Sequence, residues 1–188
     1  GRLHNPEFTM LEWYRLGFDH NQLMYEVADL VDTLLGPKPY QRLTYEDVVG
    51  KTEGRTRDAL DLAFAEACER LTPGRLFITD YPADQAALAR INPDGQTAAR
   101  FELVIDGIEI ANGYWELLDA DEHRQRFKTD HETRQQRGLP AMAVDEAFIA
   151  ALEHGLPECA GVALGFDRLV MLAVGAKALS DVTAFRGS

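Results

Sequence analysis

Four clusters of residue types could do chemistry in this chain. The first is a carboxylate series, Glu102, Glu109 and Glu116, spread over two alternating apolar runs separated by Asp106-Gly107. Asp-Gly between such runs predicts a hairpin with a two-residue turn. That turn would make Glu102 and Glu109 neighbours across the strands. Adjacent carboxylates repel unless a cation lies between them, and hard oxygen ligands of this kind suit Mg²⁺ shared with phosphates. Two carboxylates that simply face solvent are the commoner outcome of such spacing.

The second cluster is Glu109-Ile110-Ala111-Asn112-Gly113-Tyr114-Trp115-Glu116. Asn112, Tyr114 and Glu116 alternate and therefore share one face of a strand. An amide, an aromatic wall and a carboxylate could hold an aliphatic amine, although a mixed surface strand has the same pattern. The third is His4-Asn5-Pro6-Glu7-Phe8-Thr9 followed by Glu12 and Tyr14, which could set an amide, a carboxylate and a phenol at the mouth of a sheet. By itself this is an ordinary surface strand. The fourth is Gly161-Val162-Ala163-Leu164-Gly165-Phe166-Asp167-Arg168. Its small residues would let a flat ring approach the backbone. Arg168, at the start of a helix, could stack on adenine or pair with phosphate oxygens. The Gly-x-Gly-x-x-Gly spacing of a dinucleotide fold is absent. Tight strand–helix packing with an Arg–Asp surface pair would serve equally for that segment.

The elements that must position these residues follow from periodicity and punctuation. A strand is predicted from Phe8 to Phe18, then a helix capped at Asn21 and ended by Gly36-Pro37, with Leu23, Met24, Val27, Leu30, Val31 and Leu34 at helical spacing. Thr44 caps a short helix, Gly50 to Arg57 is a loop, and Arg57 to Leu71 is a third helix. Strands follow at Arg75–Tyr81, Ala99–Asp106 and Ile108–Leu118. Asp119 caps a charged helix to about Arg137, on which His123 and His131 are expected to be solvated. Val144 to His154 is an apolar-faced helix, Cys159 to Leu164 a strand, and Phe166 to Val174 the last helix. Consecutive hairpin-joined strands with helices in blocks predict an α+β fold with an antiparallel sheet rather than βαβ units.

Composition narrows the function. The 188 residues are 46% apolar and 27% charged, which suits one globular domain. No run approaches the roughly 18 apolar residues of a membrane span. With 31 acidic against 19 basic residues, the formal net charge is −12, which argues against a broad nucleic-acid grip. A strip around Arg134 and Arg137 reads as a solvated helix face. Cys68 and Cys159 are too few for a disulfide framework or a four-cysteine zinc site, and fit a reducing cytoplasm.

Taken in order, these segments resemble class II aminoacyl-tRNA synthetases of the lysyl branch. GRLHNPEFTMLEWY is similar to the second half of that class's motif 2, GVALGFDRLVML to its motif 3, and IEIANGYWEL to the intervening strand of lysyl enzymes. Within the branch, Ala163 where lysyl-tRNA synthetases usually carry glycine, Arg137-Gly138-Leu139-Pro140 and Cys159-Ala160-Gly161-Val162-Ala163 resemble the ligases that attach (R)-β-lysine to elongation factor P. The resemblance implies a class II catalytic domain over residues 1–188, from mid motif 2 through motif 3, and ATP-dependent formation of an aminoacyl-adenylate without a protein nucleophile. It places Asn5, Glu109, Ile110, Gly165 and Arg168 at ATP, with Gly165 beneath adenine and Arg168 stacked on it. Glu102 and Glu109 would hold Mg²⁺. Glu12, Tyr14, Asn112, Tyr114, Glu116 and Ala163 would form the pocket for lysine or (R)-β-lysine, with Tyr14 and Glu116 at the distal ammonium.

Elongation factor P is then the expected acceptor rather than tRNA, with a cytoplasmic homodimer as the full-length form. Motif 1 and the first half of motif 2, with its α-phosphate arginine, are expected to be missing. The chain alone should therefore bind ATP poorly, and the Pro37 to Arg75 connection is short for the family. Two other readings stay open: the core of a lysyl-tRNA synthetase, and a non-catalytic synthetase-like module.

Overall fold

A computed structural model of the chain describes Leu3, residues 5–140 and residues 143–183. His4 of the first motif, with Gly1 and Arg2, lies outside the described residues. One six-stranded sheet dominates. Its strands are β1 (Met10–Leu16), β2 (Tyr40–Thr44), β3 (Arg75–Pro82), β4 (Thr97–Ile105), β5 (Ile108–Trp115) and β6 (Cys159–Gly165), in the spatial order β1-β6-β5-β4-β3-β2. Five of the six are linked by antiparallel pairing, as the hairpin pattern predicts. β2 differs: it pairs parallel with β3. It is a short polar segment whose strand conformation is fixed by its partner rather than by its own alternation.

Helices cover one face throughout and the other only in part. On the first face, α1 (His20–Leu35) and α6 (Phe166–Val174) pack Leu23, Val27, Val31, Leu169 and Met171 against Phe101, Leu103, Val162 and Leu164. Fully burying each such aliphatic side chain contributes about 1.5–3 kcal/mol. On the second face, α2 (Tyr45–Val49) and α3 (Arg57–Arg70) cover Leu76, Ile78 and Val104 at the β2-β3 side. The second face of β5, β6 and β1 carries the polar residues singled out above. The charged helix α4 (Ala120–Gln136) and α5 (Glu146–His154) pack on each other nearby.

Some local expectations are corrected. The cap of α1 is Asp19, not Asn21: its carboxylate accepts from the Gln22 amide at 2.8 Å, and the Gln22 side chain accepts from the Asp19 amide at 3.0 Å. His123 is not solvated. It is 1% exposed, wedged against Phe127 and Phe148, with Nε2 2.8 Å from the Leu117 carbonyl. The α4–α5 pairing buries the one face that sequence periodicity leaves without an apolar stripe. Among the described residues no helix is long and apolar enough to cross a membrane.

Candidate active site

β6 is the floor of the site. On its second face it carries Cys159, Gly161, Ala163 and Gly165, all small, while its neighbours carry long functional side chains. In-register pairing lays out two rows: Tyr14, Gly161, Tyr114, Arg100 and Glu12, Ala163, Asn112, Glu102. Small residues between large ones make a trough. A Cβ at Gly161 would come within 2.4 Å of the Glu116 carboxylate and 2.5 Å of the Tyr14 ring, so both side chains would have to move to make room for it.

One irregularity decides which side chains reach the trough. Strict alternation puts Glu109 and Asn112 on opposite faces, since they are three residues apart. Glu109 is opposite Val104, yet Ala111 is opposite Leu103, so the register skips Ile110. That bulge leaves Ile110 unpaired with β4 and buries Ile110 and Ala111 together in the first-face core. Glu109, Asn112 and Tyr114 thereby share the second face with Glu102. The hairpin itself is as predicted, with Asp106 and Gly107 at φ 49° and 79°.

Two cavities occupy the trough. One, of about 320 Å³, is lined by Asn5, Glu109, Ile110, Gly165 and Arg168, among others. Arg168 folds along Gly165 and donates from Nη1 to the Glu109 carbonyl at 2.8 Å, with the Glu109 carboxylate 3.6 Å away. The entry to α6 is tied to the segment before β1: the Thr9 amide donates to Asp167 at 2.7 Å, and the Phe166 amide donates to the Thr9 carbonyl at 3.1 Å. The other cavity, of about 200 Å³, is lined by Glu12, Tyr14, Leu88, Tyr114, Glu116 and Gly161. Asn112 and Ala163 line both, so the cavities meet there. All the sequence-predicted site residues except Glu102 line one cavity or the other. Larger hollows of about 440 and 470 Å³ lie away from the carboxylate series.

Glu102 sits just behind, 8% exposed, held by Arg100 Nη2 at 2.5 Å. Burial raises its pKa, Arg100 opposes that, and Glu109 adds to it. Arg100 is one residue that sequence reasoning missed. Its guanidinium also donates to the Gln85 carbonyl at 2.8 Å and to Asn112 Oδ1 at 3.3 Å, and it lies 4.3 Å from the Tyr81 ring centre. A guanidinium only donates, so the Asn112 carbonyl must face it and the Asn112 amine must face Tyr114, whose hydroxyl is 3.0 Å away. The signal was available: Arg100 lies two residues before Glu102, on the same strand face. Leu88 was missed too, and no pattern in its own segment marks it.

The lining of the smaller cavity holds two carboxylates, Glu12 and Glu116, and no basic side chain. Burial alone pushes the Glu116 carboxyl up to about 7. Tyr14 and Tyr114 are also raised, chiefly by burial, with Glu116 and Glu12 adding for Tyr14. A bound ammonium would supply the missing counter-charge. Glu109 lines the larger cavity and Glu102 lies behind it with Arg100 as its cation, and their hard carboxylate oxygens are of the kind that suits Mg²⁺. Among the described residues no three His, Cys, Asp or Glu side chains cluster as a metal site, so such an ion would need phosphate oxygens to complete its shell.

The model of the family described as tRNA synthetases class II (D, K and N) matches residues 2–187. The elongation factor P–(R)-β-lysine ligase of Vibrio cholerae is 45% identical over 98% of this chain and 67% of its own length. Those of Pectobacterium carotovorum and Yersinia enterocolitica are each 44% identical over 98% of this chain and 66% of their own. The chain thus spans about two thirds of the length of the curated relatives it matches. The matched stretches run to 216 and 218 residues against the chain's 188, so the relatives carry residues within them that this chain lacks.

Proposed function

The chain belongs to the class II tRNA synthetases of the D, K and N type, and from that premise we propose that it is the nucleotide- and substrate-binding part of an ATP-dependent ligase that activates lysine or (R)-β-lysine and transfers it to a lysine side chain of elongation factor P. The observation that carries this reading is the meeting of the two cavities at Asn112 and Ala163. A carboxylate held at that junction faces a nucleotide on one side while its amine end faces Tyr14 and Glu116 on the other. The names of the relatives, at 44–45% identity over 98% of the chain, supply the substrate and the acceptor.

In this reading Arg168 stacks on adenine over Gly165, and Asn5, Glu109 and the backbone of Ile110 complete the nucleotide site. The bulge suits that role, because an unpaired backbone group is free to meet a ligand. Mg²⁺ held by Glu102 and Glu109 would neutralise charge on the phosphates when ATP is bound. The amino substrate's carboxylate oxygen attacks the α-phosphorus, and pyrophosphate leaves with the electrons of the broken P–O bond. The acceptor lysine nitrogen, as a free amine, then attacks the carbonyl of the mixed anhydride. AMP leaves with the C–O electrons, and the nitrogen gives up a proton. No side-chain nucleophile is required. Asn112 and Tyr114 orient the substrate, Tyr14 and Glu116 hold its distal ammonium, and the Ala163 methyl sets the room left at the amino carbon.

The acid excess of the chain favours a protein acceptor over tRNA. We place the reaction in the cytoplasm and expect the whole protein to act as a homodimer. The test is mass spectrometry of elongation factor P incubated with the whole protein, ATP and (R)-β-lysine. A single added β-lysyl group on one lysine is expected. Charging of tRNALys in place of elongation factor P would move the assignment to a lysyl-tRNA synthetase, and neither product would return it to a non-catalytic module.

A further inference from the structure

The smaller cavity has one aliphatic wall whose position nothing above explains. Leu88 belongs to neither β5 nor β6, but to the segment between the short 3-10 turn Ala83–Gln85 and β4. It is 37% exposed, in a cavity otherwise lined mostly by carboxylates, phenols and an amide. Its placement is enforced on both sides. Arg126, from α4, donates from Nη1 to the carbonyls of both Ala87 and Ala89 at 2.8 Å, while the Leu117 amide donates to the Leu88 carbonyl at 2.9 Å. Three consecutive carbonyls are therefore held. The segment takes up this shape although Ala87 adopts φ 50°, a region that residues with a Cβ seldom enter. Glu122 in turn fixes the Arg126 guanidinium from one turn earlier in α4.

The position along the trough is informative. Ala89 bridges to Glu116, and Leu88 bonds to Leu117, so Leu88 sits at the end of the cavity remote from Asn112 and Ala163. We propose that Leu88 is the specificity-determining wall that fixes the length of the aliphatic amine the cavity admits, and that Arg126 is the positioning residue that holds it there. The inference rests on the proposed lysine-type substrate. Leu88 packs the methylenes next to the distal ammonium and closes the cavity at lysine's length.

ATP–pyrophosphate exchange with the whole protein separates the parts. Ornithine, lysine and homolysine, each as the isomer the wild type prefers, are compared by kcat/KM. Leu88→Ala is expected to raise homolysine relative to lysine about tenfold or more, the scale of one methylene in an apolar pocket. Leu88→Phe should move preference the other way, toward ornithine, so the two variants cross-check each other against misfolding. Arg126→Met should raise KM for the amino substrate about fivefold or more and leave KM for ATP unchanged, a split that general loss of structure would not produce. Unchanged length selectivity in active Leu88 variants overturns the inference and leaves the proposed function standing. No exchange by the wild type with any of these amines overturns both.

Discussion

Replacing Glu116 with glutamine should stabilise the protein while weakening its hold on substrate, and the size of the effect can be worked out. Burial lifts the Glu116 carboxyl from its ordinary 4.5 to about 7. The folded state therefore binds this proton more tightly than the unfolded chain. Between those two values the folded state carries more protons, so stability falls as pH rises through the window and is level above it. At 1.36 kcal/mol per pH unit the full cost approaches about 3 kcal/mol, and with partial solvent screening about 1–3 kcal/mol. Glutamine keeps the shape and carries no charge. Urea unfolding of wild type and Glu116→Gln at pH 5 and pH 8, without substrate, should show the variant more stable at pH 8, with the gap shrinking to below about 1 kcal/mol at pH 5. Lysine or β-lysine should stabilise wild type at pH 8 and the variant far less. A gap independent of pH, or a variant less stable at pH 8, would refute the claim that this carboxylate is held desolvated for a cation.

Other outcomes follow from the same geometry. Arg100→Met leaves the buried Glu102 carboxylate without its partner and should cost about 3–5 kcal/mol in urea unfolding, with Arg100→Lys restoring part of it. Gly161→Ala puts a methyl into the Glu116 carboxylate and the Tyr14 ring, and should cut amine binding at least about tenfold by calorimetry while leaving ATP binding alone. Ala163→Gly removes the methyl at the junction of the two cavities and should shift the ratio of β- to α-lysine use by about tenfold, read from competition kinetics.

Much of this could be read from the chain because the relevant signals are local. Asp106-Gly107 dictates its turn, and Thr44 caps α2 with the Asp47 amide at 3.1 Å, as its position announces. The small-residue strand and the arginine after it give the floor of the trough. What could not be read depends on partners distant in sequence. The bulge at Ile110 is set by which β4 residue each β5 residue faces, and it is the bulge that brings Glu109 to the side of Asn112 and Tyr114. β2 is a strand because β3 pairs with it, and His123 is buried because α5 lies against it. Leu88 reaches the cavity through Arg126, a residue of the fourth helix.

The most direct test of the central claim is ATP–pyrophosphate exchange by the whole protein with (R)-β-lysine and with L-α-lysine. Amine-dependent exchange with a strong preference for (R)-β-lysine is the predicted result, since it requires the nucleotide and amine cavities to work across their shared junction. Exchange that prefers L-α-lysine would contradict the assignment of Ala163. Exchange with neither isomer would contradict the claim that the trough is an adenylate-forming site.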